Sequence, residues 1–346
     1  MIIFLNEINC KENLYPISLT RNVADIRIGI LTIREKWEKL INDKYKITTL
    51  EPTHTDFISI DANIIPTKEN FEYIINNAKE NNINFSKIKV FQYPWQIVEY
   101  NDWAIRADFE LLSSQDNGIQ LNETNSCVNS KYIFIEPGAH INYSIINAET
   151  GPVFISKNAT IMEGCLIRGP FFLGENSVMK MGSKIYGATS IGSNCVVGGE
   201  IKNSILLDNS NKAHDGYLGD SLIGSWCNLG AGTSNSNVKN SGNDIFYEDK
   251  LNQSKINAGF KAGVIMGDYS RCAINTSFNS GTIVGVSCNI FSNQLTEKNI
   301  ESFSWGNEQY ELDKAIKHIG NWKKMKNSVF SNEEIDTLIN IFNKKF

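Results

Sequence analysis

Aliphatic residues recur at every sixth position through the middle of this chain of 346 residues. The unbroken run comprises Ile155, Ile161, Ile167, Leu173, Met179, Ile185, Ile191 and Val197, and the spacing returns at Met266, Cys272, Phe278, Val284 and Ile290. This period fits neither an α-helix nor an amphipathic strand. It is typical of a parallel β-helix with triangular coils, in which each turn stacks one residue type above itself.

Small residues support the same interpretation. They stand four places after most members of the ladder, at Ala159, Cys165, Ser177, Ser183, Thr189 and Cys195. Small side chains permit tight corners between the flat walls of such a prism. We therefore predict an inward aliphatic ladder as the core of the middle region.

The regions on either side of the ladder have other patterns. Strand candidates IIFL and DFISIDANII alternate with helical spacing in IGILTIREKWEKLIN and NFEYIINNAKENN, which predicts a mixed α/β fold. The tail is helical, and Ser331 and Glu334 form a candidate capping box. We predict an α/β domain over 1–125, a β-helix over 126–300 and a helical tail over 301–346, which caps the solenoid or packs on a neighbouring subunit.

Charge and cysteine usage exclude several function classes. The net charge of -5 gives no electrostatic reason to expect nucleic acid or an acidic membrane as partner. With no basic leader and no uncharged apolar stretch of transmembrane length, we expect a cytoplasmic protein. Seven cysteines without C-x-x-C pairing predict reduced thiols. Cys165, Cys195 and Cys272 fall on small or inward positions of the repeat, which predicts core residues and not metal ligands.

One segment, NSNKAHDGYLGDSLIG at 209–224, interrupts the ladder. It contains His214, one of four histidines in the chain. We predict that a short loop at 209–216 lets this imidazole leave the wall of the prism.

The surrounding residues resemble a known family. The segment EIKNSILLDNSNKAHDGYLGDSLIGSWCNLGAGTSNSN, residues 200–237, is similar to the acetyltransferase half of the bifunctional N-acetylglucosamine-1-phosphate uridylyltransferase/glucosamine-1-phosphate acetyltransferases. That family carries E-x-K, then K-A-(G)-H-x-x-Y-L-G-D, then N-(I/L)-G-A-G-T. The sequence of this segment looks like that of a divergent bacterial branch of the family. The resemblance implies a left-handed β-helix, acetyl-CoA as co-substrate and a homotrimer with the acyl donor between neighbouring prisms.

The resemblance also assigns roles by position. His214 falls on the catalytic base. Contacts to the sugar phosphate fall on Lys184, Lys202, Tyr217 and Asn228, with Lys184 standing where the family uses an arginine. Positions near the thioester of acetyl-CoA fall on Ala231 and Asn237. Two family residues are replaced here, a lysine by Asn243 and a serine by Ile274, which leaves the acyl group and the exact sugar open.

These residue types suit acetyl transfer. A neutral imidazole accepts a proton from a sugar amine near pH 7. The thioester carbon becomes tetrahedral, and Asn237 or the backbone of residues 230–232 can face the developing oxyanion. Lysines can hold the phosphate. The alternatives remain a solvated loop histidine, surface lysines, a packing tyrosine, and turn or ladder asparagines.

The first region resembles sugar nucleotidyltransferases more distantly. LYPISLTRNVADIRIGILTIREKW is similar to the family's L-T-x-R-P-K segment, with Arg21 matching. NEINCKEN has no glycine for a phosphate-binding loop, Val23 replaces the lysine, and Asn63 or Asp61 stands at the metal-binding aspartate. We predict a shortened nucleotidyltransferase-like domain, which requires Mg²⁺ only if it is active.

The leading hypothesis is a CoA-dependent acetyltransferase acting on an amino-sugar phosphate resembling glucosamine 1-phosphate, for synthesis of UDP-N-acetylglucosamine or a related sugar nucleotide. Two alternatives are a bifunctional enzyme with an active nucleotidyltransferase domain and a non-catalytic trimeric scaffold that binds sugar nucleotides. A metalloenzyme is disfavoured because only His140 and His214 are available in the repeat region.

Overall fold

The computed structural model describes residues 1–41, 44–53, 56–80, 82–113, 118–249 and 254–344. Its middle is a left-handed parallel β-helix, and in each coil the chain visits three sheets in the same order. Sheet 1 contains Ile133–Ile135, Val153–Ile155, Phe171–Leu173, Thr189–Ile191, Ile205–Leu206, Leu222–Ile223, Val264–Met266, Thr282–Val284 and Asn299–Ile300.

The other two walls complete the prism. Sheet 2 contains His140–Ile141, Thr160–Ile161, Val178–Met179, Val196–Val197, Asn211–Lys212, Asn228–Leu229, Arg271–Cys272, Asn289–Ile290, Ser304–Trp305 and Glu308–Gln309. Sheet 3 contains Ser126–Val128, Ile145–Asn147, Leu166–Arg168, Lys184–Tyr186, Glu200–Lys202 and Tyr217–Gly219. The pair Ser234–Asn235 and Ser277–Phe278 follows sheet 3 along the prism. An antiparallel hairpin, Phe246–Asp249 with Ser254–Asn257, interrupts the coils.

The predicted ladder is confirmed. Every aliphatic residue of the run spaced at six-residue intervals is buried. Buried too are the residues that resume the spacing, Met266, Cys272, Phe278, Val284 and Ile290. The small residues at the corners are also buried, as Ala159 and Cys195 illustrate. The prism therefore has a continuous apolar core.

The N-terminal region is a small α/β layer. Its parallel sheet has the order Lys46–Thr48, Ile2–Asn6, Phe57–Asp61. The helices are α1 (Ile33–Leu40), α2 (Phe71–Lys79), α3 (Pro94–Glu99) and α4 (Asn101–Ser113). Short 3-10 turns lie at Glu12–Leu14, Ile17–Leu19, Val23–Asp25 and Phe85–Lys87, and another lies before the coils at Ser130–Tyr132. A short antiparallel pair joins Arg27–Ile28 and Leu31–Thr32. A capping box between Thr32 and Glu35 starts α1. The predicted strands and helices are confirmed here.

This α/β layer covers sheet 1. Ile205, Leu222 and Ile265 of the β-helix belong to the same apolar cluster as the core of the layer. Asn101 of α4 donates to the carbonyl of Ala188 at 2.9 Å and accepts from Ser190 at 3.1 Å. One wall of the prism is therefore closed by the chain's own N-terminal region.

The C-terminal helices α5 (Leu312–Met325) and α6 (Asn332–Lys344) pack along the corner between sheets 1 and 2. The Lys326 ammonium donates to the carbonyls of Asn194 and Asn209, both at 2.9 Å. The predicted capping box is confirmed, because Glu334 N lies 3.2 Å from Ser331 Oγ and Ser331 N lies 3.0 Å from Glu334 Oε2. The tail thus lies along its own prism. The sequence predicted an end cap or packing on a neighbouring subunit, and the contact with a neighbouring subunit stays a prediction. Within the described ranges, no helix has the length and apolar character of a membrane span.

Candidate functional site

The corner between sheets 2 and 3 changes length at one coil. Inward Met179 and inward Ile185 are six positions apart, but inward Val197 and inward Ile201 of the next coil are only four positions apart. The following corner, from Lys212 to Leu218, has six again. The missing residues therefore belong to the Gly198–Gly199 corner, and the His214 corner overhangs it. The loop at 209–216, which the sequence predicted to be short, has normal length.

Glycine at this short corner is required by close approach. A Cβ atom on Gly198 would lie 2.6 Å from the carbonyl oxygen of Ala213. One on Gly199, whose φ is +73°, would lie 2.8 Å from the carbonyl oxygen of His214. The two glycines let the corner that carries His214 lie against the shorter corner.

The structure places His214 in the open. Its side chain is exposed, and within the described part of the chain its imidazole has no hydrogen-bond partner. Gly232 N donates to the carbonyl of Asp215 at 3.0 Å, so Ala231 stacks above His214 in the next coil. Among the described hydrogen bonds, none uses the Ala231 N–H. An imidazole and a free backbone donor therefore neighbour each other at this corner.

Sheet 3 carries the predicted phosphate-binding lysines beside the corner. The register aligns Lys184 with Glu200 and then Tyr217, and it aligns Tyr186 with Lys202. The Lys202 ammonium lies 5.8 Å from the ring centroid of Tyr186. Tyr186 OH donates to Glu200 at 2.5 Å, and this hydrogen bond is the main reason why the pKa of Tyr186 rises to about 12. Two cations and a neutral phenol thus share one wall.

Tyr217 and Asn237 form part of one polar network. Asn237 Nδ2 donates to Tyr217 OH at 3.1 Å and also to the carboxylate of Asp220. Asn203 Nδ2 donates to the same carboxylate at 2.6 Å. Burial, with a smaller effect of Asp220, raises the pKa of Tyr217 to about 12, so this phenol stays neutral near pH 7. Both donors of the Asn237 amide are engaged, which favours the backbone near Ala231 as the oxyanion donor.

Asn228 lies apart from this network, on sheet 2. Its Oδ1 accepts from Asn211 Nδ2 at 3.2 Å, and Asn211 Oδ1 accepts from the Lys326 ammonium at 3.0 Å. An ammonium only donates, so this chain fixes both amides and leaves the Asn228 NH₂ group free to donate. Within one chain the candidate residues therefore lie on both sides of the His214 corner.

Sequence reasoning missed several residues at this place. Tyr186, Glu200 and Asp220 orient the candidate residues, and Glu200 is the glutamate of the E-x-K segment. Lys212 occupies an inward position of the ladder. The six-residue spacing from Leu206 through Lys212 to Leu218 was sufficient to find it.

The N-terminal region does not fit a magnesium–nucleotide complex. In the loop after the first strand, the Glu7 carboxylate accepts from Val23 N at 2.9 Å and pairs with Lys11 at 2.5 Å. Buried Asn63 donates to the carbonyl of Phe91 at 2.8 Å. In the described ranges, no group of three histidine, cysteine or acidic residues is placed to hold a metal ion. A carboxylate at the expected triphosphate position repels the ligand's charge.

Arg21, the matching charge of the nucleotidyltransferase-like segment, is used elsewhere. Its guanidinium pairs with Asp268 at the corner between sheets 1 and 2 and lies 3.2 Å from Ser225 Oγ. Asp268 also accepts from Thr20 Oγ1 and from Ser225 N, both at 2.8 Å. Arg21 therefore joins the α/β layer to the β-helix.

Comparisons with known proteins agree with both parts of this architecture. The family model of sugar nucleotidyl transferases matches residues 2–82. The bifunctional protein GlmU of Methanocaldococcus jannaschii is 34% identical over 118 residues, which is 33% of this chain and 27% of the relative. The matched part thus spans about a quarter of that relative's length. A bifunctional sugar-1-phosphate nucleotidylyltransferase/acetyltransferase of Sulfurisphaera tokodaii is 26% identical over 319 residues, covering 85% of this chain and 71% of the relative.

Solved structures match the chain more remotely. The polySia-specific acetyltransferase NeuO has 13% identity and a TM-score of 0.33, covering 59% of this chain and 94% of that chain. The UDP-N-acetylglucosamine acyltransferase of Francisella novicida has 13% identity and a TM-score of 0.28, covering 64% and 88%.

The chain therefore combines an N-terminal region that matches the family model of sugar nucleotidyl transferases with a left-handed β-helix built on a six-residue repeat. More particularly, its sequence is similar to those of a bifunctional protein GlmU and of a bifunctional sugar-1-phosphate nucleotidylyltransferase/acetyltransferase. Both relatives named here are archaeal, so the bacterial branch stays a prediction.

Proposed function

We propose that this protein transfers an acetyl group from acetyl-CoA to the amine of an amino-sugar phosphate resembling glucosamine 1-phosphate, for the synthesis of UDP-N-acetylglucosamine or a related sugar nucleotide. The observation that carries the proposal is the open corner at which His214 stacks below the free Ala231 N–H, beside the wall that bears Lys184 and Lys202. The name of the Sulfurisphaera tokodaii relative, which includes acetyltransferase, supports it.

The chain's groups can perform each step. The neutral sugar amine attacks the thioester carbon through its nitrogen. The His214 imidazole accepts the proton that this nitrogen loses. A carbon–nitrogen bond forms, and the Ala231 N–H donates to the developing oxyanion. The carbon–sulfur bond then breaks, and the imidazolium returns its proton to the departing CoA sulfur. Tyr217, held as a neutral phenol, donates to an acceptor on the sugar.

The acceptor is tested directly by thiol release from acetyl-CoA. Glucosamine 1-phosphate should support release, and N-acetylglucosamine 1-phosphate, whose amine is blocked, should not. A panel of acyl-CoAs and amino-sugar phosphates in a thermal-shift assay then ranks the ligands. No thiol release with any amino sugar would reject the proposal. Calorimetric titration with acetyl-CoA distinguishes the two classes, because an enzyme should give a heat of binding and a pure scaffold should give none.

We expect the chain to form a homotrimer, because one prism cannot enclose both substrates. The α/β layer closes sheet 1, whereas sheet 3 exposes Ile145 to 49% and Leu166 to 47%, and Tyr143 and Met181 are exposed at the corner between sheets 2 and 3. Sedimentation should show three copies of the 38.9 kDa chain. Ile145→Asp with Leu166→Asp should yield inactive, folded monomers. Full activity of a monomer would contradict this assembly.

Lys202→Ala should raise KM for the sugar phosphate more than it lowers kcat, because a phosphate contact is made before and during the reaction. The partly exposed ammonium is screened by solvent, so we expect a change of roughly 5- to 30-fold. KM for acetyl-CoA should barely move. The control is Lys131→Ala, an exposed lysine at the first coil. An effect on acetyl-CoA alone would reverse the proposed orientation of the two substrates.

A further inference from the structure

The aliphatic ladder inside the prism contains one lysine among the described residues. On sheet 2 the inward positions are held by Ile141, Ile161, Met179, Val197, Lys212, Leu229, Cys272 and Ile290. Lys212 is only 2% exposed and lies between Val197 and Leu229 in the stack. An aliphatic residue would fit this position as it does in the neighbouring coils.

Keeping an ammonium group here opposes folding. Taking a charge from water into a protein interior is unfavourable unless an opposite charge compensates it. Burial lowers the pKa of Lys212 to about 8, against a smaller opposing effect of Asp215. Within the described residues no carboxylate forms an ion pair with Lys212. A buried charge that stability alone does not require points to another role.

The contacts of Lys212 indicate that role. Its Nζ donates to the carbonyl oxygen of Gly198 at 3.2 Å and to the carbonyl oxygen of His214. These carbonyls belong to two successive corners, the short one and the one that overhangs it. The ammonium therefore holds the His214 carbonyl toward the interior, while the His214 side chain is exposed on the outside.

We propose that Lys212 is a positioning residue that fixes the backbone of the His214 corner and so aims the imidazole over the short corner below it. This inference rests on the proposed acetyl transfer at the same corner. Lys212 does not touch either substrate; it acts through His214. A lysine at this inward position makes the core less stable than an aliphatic residue would, and it orients the His214 imidazole.

Lys212→Met separates this role from a merely structural one. Methionine fills the ladder position without the charge, so the thermal midpoint should stay the same or rise. The turnover number should nevertheless fall by roughly 10- to 100-fold, because a displaced base loses its alignment with the amine. KM for both substrates should change little. A structural lysine would instead give a lower midpoint, with activity lost in proportion to unfolding.

The matched control is Lys323→Met, which removes another strongly buried lysine. Lys323 pairs with Glu334 in the C-terminal tail, far from the corner. Its loss should lower the midpoint and leave kcat unchanged, the opposite pattern from Lys212→Met. If Lys212→Met does not fold, Lys212→Gln, which can still donate to one carbonyl, replaces it. Failure of both to fold would make the role structural and overturn the proposal.

NMR of the histidine rings does not depend on turnover, so it distinguishes failure of the Lys212 proposal from failure of the proposed acetyl transfer. The chain has four histidines, so their ring resonances are few and His214→Ala assigns the one of interest. In Lys212→Met the His214 resonances should shift or broaden while the other three stay in place. Unmoved His214 resonances together with an unchanged kcat would overturn the positioning role. Absent acetyl transfer by the unaltered chain would reject the proposed function, and the resonances would still decide the role of Lys212.

Discussion

His214→Ala is expected to lower kcat for acetyl transfer by roughly 10²–10⁴-fold, the usual contribution of a positioned general base. KM for acetyl-CoA should change little, because the imidazole acts on the sugar amine. The fold should be unaffected, since the side chain is exposed and its ring makes no hydrogen bond among the described residues. Steady-state thiol release, with the thermal midpoint measured on the same preparation, gives both quantities.

The control for this change is His140→Ala, an exposed histidine of sheet 2 in an early coil. It should retain the turnover of the unaltered chain. A loss of less than about threefold in His214→Ala would remove the histidine from the mechanism, since general-base contributions are far larger. A loss that follows a lowered midpoint would assign His214 a structural part.

The prism could be predicted from the sequence because each coil repeats the same packing environment. Each ladder residue, from Ile155 to Val197, meets the same environment one coil later, so burial imposes a strict period. A motif such as NKAHDGYLGD stands out against that background. The interior Lys212 and the His214 corner belong to this motif, and the lysine is visible once the six-residue spacing is counted from Leu206 to Leu218.

Non-local features of the structure could not be read from the period. The short Gly198–Gly199 corner becomes visible only when the strands are aligned by register. The engagement of both Asn237 donors depends on Asp220 and Tyr217, which the chain brings together across coils. Docking of the α/β layer on sheet 1 joins residues far apart in the chain, and no local pattern encodes such a contact.

In the nucleotidyltransferase-like segment, the residue that matches the family pattern makes a contact with the β-helix. In sequence, Arg21 is the charge that survives from the family pattern, while the glycines and the next lysine are missing. In the structure Arg21 is directed at Asp268 of the β-helix, and Glu7 occupies the loop after the first strand. The segment contributes an interdomain ion pair, which gives the layer a role as a cover for sheet 1.

Asp268→Ala should accordingly reduce the free energy of unfolding by about 3–5 kcal/mol, as expected when one partner of a buried ion pair is removed. Burial lowers the pKa of Arg21, but Asp268, Asp208 and Tyr269 together raise it above its ordinary value, so the guanidinium is charged in the folded chain. The change strands this buried charge and also removes the acceptor of Thr20 Oγ1 and Ser225 N. Urea unfolding followed by fluorescence measures the loss.

The matched control is Asp25→Ala, which breaks the half-exposed pair with Arg34 and should cost less than about 1 kcal/mol. Arg21→Met combined with Asp268→Ala should recover part of the loss, because no buried charge remains unpaired.

Limited proteolysis should release the α/β layer sooner from Asp268→Ala than from the unaltered chain. Folded Asp268→Ala should still transfer acetyl groups, since the layer supplies no candidate residue to the His214 corner. A loss below 1 kcal/mol would mean that solvent already shields Arg21 and that the apolar contact alone holds the layer on sheet 1.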